Sequence, residues 1–194
     1  MNNIWYETVE ASERLTQGDL ILDCPLVNWS AEPLQLENTD NIVEILGGAI
    51  DAISVNVVVM TQACDLEHEK VRNVVLCPLL PLSDYRSSWD GTMMEENQNP
   101  TARAWRRHCD DITDGFVWNL AILNANPHVD LPIEHLIVDF SEIYTVPREF
   151  LESLLALRGT SRQRLLPPYR EHLSQAFARF FMRVGLPVPV EKVW

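Results

Sequence analysis

The order of apolar and polar positions along the chain predicts more strands than helices. The strongest strand pattern covers residues 55–60, V-N-V-V-V-M, because consecutive β-branched residues are restricted in a helix and pack well on a pleated surface. Other short apolar runs, each bounded by turn-forming residues, predict strands at residues 20–27, 73–77, 116–123, 135–140 and 143–146. Pro25 within the first of these runs predicts a bulge or an edge strand.

Helical periodicity is clearest near the C-terminus. One apolar stripe with a period of 3.6 residues predicts an amphipathic helix over residues 167–184. Its members are Tyr169, Leu173, Ala176, Phe177, Phe180, Phe181 and Val184. Two further helices are predicted, one over residues 101–109 with Thr101 as N-cap and one over residues 150–157 ended by Gly159. Residues 1–17 are interpreted as a lead-in with a short helix, and residues 86–100 as a loosely ordered segment.

Composition and charge narrow the class of protein. The chain has 194 residues, of which 46% are hydrophobic, enough for one core and short for two full domains. Residues 1–144 hold 7 Lys and Arg against 24 Asp and Glu, a net charge of −17, whereas residues 145–194 carry +4. An acidic protein binds polyanions poorly. The charge therefore favours protein partners, or a basic tail that packs on its own acidic body.

The sequence lacks the motifs that would indicate a membrane location, secretion or a cofactor. The sequence has no run of about 18 apolar residues and no secretory signal at its start, so we expect a cytoplasmic protein that does not span a membrane. The four cysteines are expected to be reduced and mostly buried, as cytosolic thiols usually are. No phosphate loop, dinucleotide fingerprint or zinc-protease helix occurs, and we expect no cofactor.

Three stretches of the chain resemble strands of the PemK/MazF-like SH3-type barrel, a fold of many toxin ribonucleases. They are G-D-L-I-L at residues 18–22, the pair V-V-V-M-T-Q at 57–62 and V-V-L-C-P-L at 74–79, and V-D-F-S-E-I-Y-T-V at 138–146. The resemblance implies a mainly β (α+β) fold: a small SH3-like β-barrel over residues 18–82 and 116–158. Residues 83–115 would be an insertion, and the amphipathic helix would be a C-terminal addition to one domain of residues 1–194.

The catalytic residues of that family have no counterpart in this chain. The resemblance places the family's Arg near Val55 or Asn56 and its Thr near Leu80. None of these three side chains acts as an acid or base or holds a phosphate. We therefore expect a protein without ribonuclease activity on this barrel, since fold alone does not imply function.

The T-Q-A-C-D-L element, residues 61–66, follows the best strand and contains the first candidate site, Gln62, Cys64 and Asp65. Cys64 would be a nucleophile if a histidine such as His68 lowered its pKa. The alternative is a turn in which Asp65 binds local backbone and Cys64 is buried. The element resembles a T-Q-S-C-D-L sequence of uncharacterised bacterial proteins that look like parts of mobile or defence-type gene neighbourhoods.

Metal ligands are present but poorly spaced. Cys64, His68, Cys77, His108 and Cys109 are soft or borderline donors, of which zinc needs four in a tetrahedron. No Cys-x2-Cys pair occurs, and we expect no metal.

Two further groups of residues are candidate binding surfaces. Arg103, Trp105, Arg106 and Arg107 form a basic and aromatic cluster that suits nucleic acid, unless the cations pair with nearby aspartates, namely Asp110, Asp111 and Asp114. The second group is the aromatic stripe of the C-terminal helix, which would bind a partner or complete the core. Its aromatic members are Tyr169, Phe177, Phe180 and Phe181.

These observations favour a non-enzymatic interaction or regulatory subunit of a bacterial multi-component system, of toxin–antitoxin or phage-defence type. The expected partner is a protein, with self-association as one form. The alternative is a nucleic-acid-binding protein or endoribonuclease-type toxin on the same barrel. A third hypothesis is a thiol-dependent or metal-dependent function at Cys64.

Overall fold

The computed structural model of the chain describes residues 4–30, 43, 47–127 and 132–182. Within them the fold is α+β and rich in antiparallel strands, which confirms the predicted class. The strands are β1 Tyr6–Val9, β2 Leu20–Trp29, β3 Ile50–Val59, β4 Asn73–Pro81, β5 Leu120–Leu123, β6 Leu136–Asp139, β7 Tyr144–Pro147 and β8 Arg162–Leu165. The helices are α1 Ala63–Glu67, α2 Leu82–Glu95, α3 Ala102–Thr113, α4 Arg148–Arg158 and α5 Tyr169–Phe181.

Strand β4 is the centre of the larger sheet, whose order is β2-β3-β4-β6-β5. One edge of β4 pairs with β3, and the opposite edge pairs first with β7 and then, from Leu79 onward, with β6. Pro78, in the middle of β4, lies between the segments paired with β7 and β6. Strand β4 thus joins two smaller sheets, a pattern that bends the strands around a core.

The end of β3 explains why its sequence lacks the usual polar alternation. Val57 and Val59 face one core with α4, whereas Val58 and Met60 face the opposite core with α5. All four side chains are buried because helices cover both faces of the sheet at this point. The strand pattern at residues 55–60 is therefore confirmed, and its apolar character reflects burial on two sides.

The described strands do not close into a barrel. The hydrogen-bonded path of the larger sheet ends at β2 and at β5, and the remaining two strands, β1 and β8, form a separate ladder. Strand β8 also meets the residues just before β2, through an isolated bridge between Arg164 and Asp19 and a hydrogen bond of 2.9 Å from the Leu165 N–H to the Gly18 carbonyl. Pro25 lies on edge strand β2, next to a break in register between Ile21 and Cys24, as its position predicted. The open edges mean that closure, the defining feature of the predicted SH3-like barrel, is not seen within the described residues.

The predicted loosely ordered segment is wrong for most of its length, because residues 82–95 form α2. Helices α2 and α3 make a hairpin on the β5–β6 side of the sheet, over a third apolar cluster around Ile112, Leu120 and Ile137. No side chain of α2 is fully buried, so the helix has no apolar stripe from which to predict it.

The predicted short helix at residues 1–17 is also wrong. Tyr6–Val9 forms β1, which pairs antiparallel with β8. The sequence of β8, R-Q-R-L, has no apolar pattern that predicts a strand. Its two arginines are accommodated there because both form ion pairs with Asp19. Asp19, wholly buried, accepts hydrogen bonds from the Nε atoms of Arg162 (2.8 Å) and Arg164. The basic part of the chain thus packs on the acidic part here.

The predicted caps at Thr101 and Gly159 agree with the structure, although α3 continues to Thr113, beyond its predicted end at Cys109. Thr101 caps α3 by accepting a hydrogen bond from the backbone N–H of Ala104 at 3.1 Å, and Gly159 ends α4 with a positive φ of 62°. The C-terminal helix is present as Tyr169–Phe181, and its predicted continuation at residues 183–184 lies outside the described residues. Among the described helices, none combines the length and the apolar content that crossing a membrane requires.

Candidate functional site

The T-Q-A-C-D-L element forms the corner between β3 and β4. Thr61 is buried, and its hydroxyl oxygen accepts a hydrogen bond of 2.7 Å from the backbone N–H of Val75 on β4. The next residues turn into the short helix α1, which anchors its Leu66 in the core on the α4 side. Thr61 and Leu66 therefore fix the corner, while Gln62 and Cys64 remain exposed at its rim.

Cys64 is exposed, so the expectation that it is a buried turn residue is wrong. Its thiol lies 3.8 Å from Gln62 Oε1 and 3.8 Å from Asp65 Oδ1, and neither contact involves a histidine. Asp65 also lies 3.9 Å from the Lys70 ammonium. A thiol is activated by a histidine base or a cation beside the sulfur, and the two neighbours of Cys64 are instead an amide oxygen and a carboxylate, whose negative charge disfavours the thiolate. The arrangement suits hydrogen bonding to a ligand better than nucleophilic attack.

A polar cleft of about 340 Å³ lies between this corner and α5. Gln62 and Cys64 line one wall, and Glu171, Ser174 and Gln175 of α5 line the other. The structure thus brings two sequence-predicted elements together, although about 110 residues of chain separate them and no local pattern signals it.

Gln17 forms the floor of the polar cleft, and Glu171 gives the cleft its negative charge. Gln17 is nearly buried beneath the cleft, and its amide nitrogen donates to the Met60 carbonyl at 3.1 Å and to the Ser174 hydroxyl at 3.3 Å. Burial disfavours ionisation of Glu171, but the hydrogen bond from Arg170 at 2.7 Å, a backbone hydrogen bond and the neighbouring positive charges together outweigh it and lower the pKa of the carboxyl. The cleft therefore contains one carboxylate that stays ionised near neutral pH.

A larger cavity, here called the aromatic groove, has a volume of about 410 Å³ and is also lined by α5. Three separate parts of the chain supply aromatic rings to it, and three ionisable side chains lie among them. These residues are Trp5, Trp118 and Tyr169, with Asp114, His172 and Arg179. Sequence reasoning did not find this groove, because the aromatic residues are distant in the chain.

One wall of the aromatic groove is formed by two stacked rings, and the other wall contains a tryptophan exposed to solvent. Trp5 stacks on Tyr169 with ring centroids 4.0 Å apart and planes inclined by 12°, while Trp118 is 48% exposed. The Arg179 guanidinium passes over Gly115, where an added Cβ would lie 3.6 Å from Nη2. Within the described residues Arg179 has no carboxylate at ion-pair distance. The groove therefore offers stacked rings beside an arginine that forms no ion pair with the described residues.

The aromatic stripe of α5 is divided between core and surface. Phe177 and Phe180 pack against the buried Phe140, with ring centroids 5.6 Å and 6.4 Å away. Tyr169 stacks on Trp5 as described, whereas Phe181 is 58% exposed. Most of the stripe thus packs against the core, and Phe181 is the exposed member of the predicted partner-binding residues.

The basic and aromatic cluster of α3 is split in a similar way. Trp105 belongs to an aromatic cluster with Tyr85, Trp89 and His108, and its ring centroid is 5.3 Å from that of Trp89. The Arg86 guanidinium lies 5.6 Å from the same ring. The half-buried Trp105 ring therefore packs among residues of the protein itself, and the stacking of a nucleic-acid base on it stays a prediction.

The three arginines of α3 point away from that aromatic cluster. Arg103, Arg106 and Arg107 are exposed and lie at positions i, i+3 and i+4, which places them on one face of the helix. In the part of the chain that the structure describes, none of them forms an ion pair, so the expected pairing with nearby aspartates is wrong at ion-pair distance.

The positions expected for the ribonuclease Arg and Thr carry other functions. Val55 packs at the border of the core on the α4 side, and the Asn56 amide oxygen accepts a hydrogen bond of 2.9 Å from the Asp23 backbone. Leu80 is 36% exposed on β4. The apolar side chains of Val55 and Leu80 supply neither a proton donor nor a phosphate ligand, and the described contact of Asn56 is with the backbone of a neighbouring strand.

The possible metal ligands are dispersed. Across residues 4–30, 47–127 and 132–182, no three His, Cys, Asp or Glu side chains converge in a way that could hold a metal ion. Cys77 is wholly buried in the core on the α5 side, whereas Cys64 is exposed at the polar cleft.

No protein-family model, curated protein or solved structure matches the chain. The polar cleft, the aromatic groove and the exposed arginines are therefore the features of the molecule that bear on its function.

Proposed function

We propose that the protein is a non-enzymatic interaction or regulatory subunit of a bacterial multi-component system, and that it binds a protein partner at the aromatic groove. The observation that carries the proposal is the groove itself: aromatic rings from three parts of the chain around a cavity of about 410 Å³. Buried aromatic contacts dominate the energy of many protein interfaces, since they bury a large area with little loss of side-chain freedom.

The chemistry of the groove suits a partner segment that places an apolar or aromatic side chain next to a carboxylate. The apolar side chain would pack on the stacked Trp5 and Tyr169 rings beside Trp118. The carboxylate would pair with Arg179, which has no such partner within the described residues. An arginine and a carboxylate can form two parallel hydrogen bonds, which adds orientation to the contact.

A binding role is supported by the chemistry of the T-Q-A-C-D-L corner as well. The Cys64 thiol has oxygen acceptors as its neighbours, and the positions of the ribonuclease Arg and Thr hold Val55 or Asn56 and Leu80. The toxin–antitoxin or phage-defence context comes from the resemblance to the PemK/MazF-like barrel and from the T-Q-x-C-D-L element. The alternative of a nucleic-acid-binding protein or ribonuclease-type toxin stays a prediction.

Site-specific photo-crosslinking in the native cells tests the proposal. A benzophenone amino acid is placed at Trp118, and the matched control carries it at Leu157, which is 86% exposed on α4. We expect irradiation to join position 118 to one protein species of defined mass and position 157 to none. The same crosslink should be lost in an Arg179→Gln protein.

Three outcomes would contradict the proposal: no crosslink from position 118, equal crosslinking from both positions, or crosslinks to nucleic acid instead of protein. Thermal unfolding of each variant verifies that the substitutions leave the fold intact, because exposed positions rarely change stability by more than about 0.5 kcal/mol.

A further inference from the structure

The exposed arginines of α3 have no role in the fold that the structure accounts for. Arg103, Arg106 and Arg107 share one face, and within the described residues they have no ion-pair partner. Asp110 follows on the same face one turn later, with Asp111 and Asp114 beside it. The face is therefore basic over its first half and acidic over its second half.

That order of charges opposes the stability of the helix. The N-terminal end of a helix carries partial positive charge and the C-terminal end partial negative charge, so acidic residues belong at the start and basic residues at the end. In α3 the first turn holds Arg103 and no acidic residue, and the last turn holds Asp110 and Asp111 and no basic residue. Arg placed before Asp at i, i+4 is also the weaker order for side-chain pairing. Helix stability does not explain the arginines.

The helix beneath the arginines is held in place. His108 donates to or accepts from the Tyr85 hydroxyl at 2.8 Å, and its ring stacks on Trp89 with centroids 5.5 Å apart. Ile112 anchors the far end in the third apolar cluster. A surface on a fixed helix loses little conformational freedom when a ligand binds, which is the property expected of a binding face.

We propose that the face formed by Arg103, Arg106 and Arg107 docks an acidic segment of the partner protein. This inference rests on the proposed function, since it assigns a second contact to the same partner. Charge complementarity selects the occupant: three unpaired guanidiniums bind carboxylates in pairs of parallel hydrogen bonds. A short acidic segment touches only this face. A nucleic acid would extend its dense charge over a protein of net charge −13, and Trp105 lies on the opposite side of α3 from the three arginines.

Fluorescence anisotropy with two probes tests the docking face on the full chain. The probes are a short labelled poly-glutamate peptide and a single-stranded RNA of equal charge. The test variant carries R103Q, R106Q and R107Q, and the matched control carries R14Q, K70Q and R72Q, three exposed cations elsewhere on the chain. Both variants lower the net charge by three.

We expect the peptide to bind the wild-type protein and the control equally, with an affinity that falls as salt rises. The test variant should bind about tenfold more weakly, the sum of three exposed ion pairs. A variant with Lys at the three positions should keep part of the affinity, because it retains the charge and loses the paired geometry.

Equal peptide binding by the test and control variants would overturn the inference, and so would tighter binding of the RNA than of the peptide. Crosslinking from position 118, repeated in the R103Q/R106Q/R107Q protein, separates the two proposals. A crosslink with arginine-independent peptide binding removes only the docking face. If position 118 of the otherwise wild-type protein forms no crosslink at all, the proposed function itself is contradicted.

Discussion

Arginines occupy two contrasting regions of this molecule. At the β1–β8 junction, Arg162 is buried and donates to Asp19 and to the backbone carbonyls of Glu10, Glu13 and Arg14, each of the latter at 3.0 Å. On α3 the arginines are exposed and, in the described residues, unpaired. The sequence presents both as short basic clusters in an acidic chain.

The difference teaches that the partners of an arginine, and not its sequence neighbours, decide its role. Arg162 and Arg164 share a wholly buried carboxylate and tie the loop at residues 10–14 to the last strand, so they belong to the architecture. The α3 arginines form no such bonds with the residues that the structure describes, and they oppose the helix dipole, so we treat them as available for recognition. Substitutions in the two regions should therefore have opposite effects on stability and binding.

The largest expected effect is at the buried junction. Asp19→Asn leaves the Arg162 guanidinium buried without a counter-charge, and we expect a loss of about 3–5 kcal/mol in the free energy of unfolding. Denaturant unfolding measures this loss. The matched control Asp110→Asn, on the exposed face of α3, should change stability by less than about 0.5 kcal/mol. A loss below about 1 kcal/mol for Asp19→Asn would contradict a buried, structural role.

The next effect is a dependence of folding stability on pH in the α2–α3 hairpin. This hairpin is stabilised by packing around His108, whereas the β1–β8 junction is stabilised by buried charge. Burial lowers the pKa of His108, and the nearby Asp111 opposes this shift only in part. Because the unfolded chain binds the proton more readily, stability is full above the ordinary histidine pKa of about 6.5 and falls as pH drops through the lower folded-state pKa.

Thermal unfolding between neutral and mildly acidic pH tests this dependence. The midpoint of the wild-type protein should fall more steeply than that of His108→Gln, which cannot titrate at this position. The other described histidines, His68, His135 and His172, are common to both proteins and cancel in the comparison. Parallel pH profiles of the two proteins would show that His108 is not coupled to folding.

The smallest expected change in stability separates the exposed arginines of α3 most clearly from the buried arginines of the β1–β8 junction. Arg103→Glu places a carboxylate in the first turn of α3, so we expect a gain of about 0.3–1 kcal/mol in stability from the helix dipole. The same substitution should weaken binding of the acidic peptide. Denaturant unfolding and anisotropy on one preparation measure both. A loss of stability would mean that Arg103 supports the helix through contacts of its own.

Sequence patterns predicted the elements whose signals are local. The Val-rich run of β3, the Thr101 cap and the Gly159 stop all depend on neighbours within a few residues, and the structure has all three. Helix α2 escaped prediction because it lacks an apolar stripe, and β8 because Arg162 and Arg164 are buried by pairing with Asp19.

The candidate sites were predicted only in pieces. Gln62 and Cys64 were expected at the end of a strand, which is where they lie, but the opposite wall of the polar cleft comes from α5. The aromatic groove joins Trp5, Trp118 and Tyr169, which are far apart in the chain. Such sites depend on tertiary packing, and a single sequence carries no local signal of which distant residues will meet.

The central claim is that the partner is a protein and not a nucleic acid. Its most direct test is an affinity purification of the intact protein from its native cells, with protein and nucleic acid both quantified, beside the R103Q/R106Q/R107Q and Arg179→Gln proteins. The account predicts one protein in stoichiometric amount with the wild type, less of it with either variant, and no nucleic acid. RNA or DNA that co-purifies and leaves in moderate salt, with no stoichiometric protein, would contradict it.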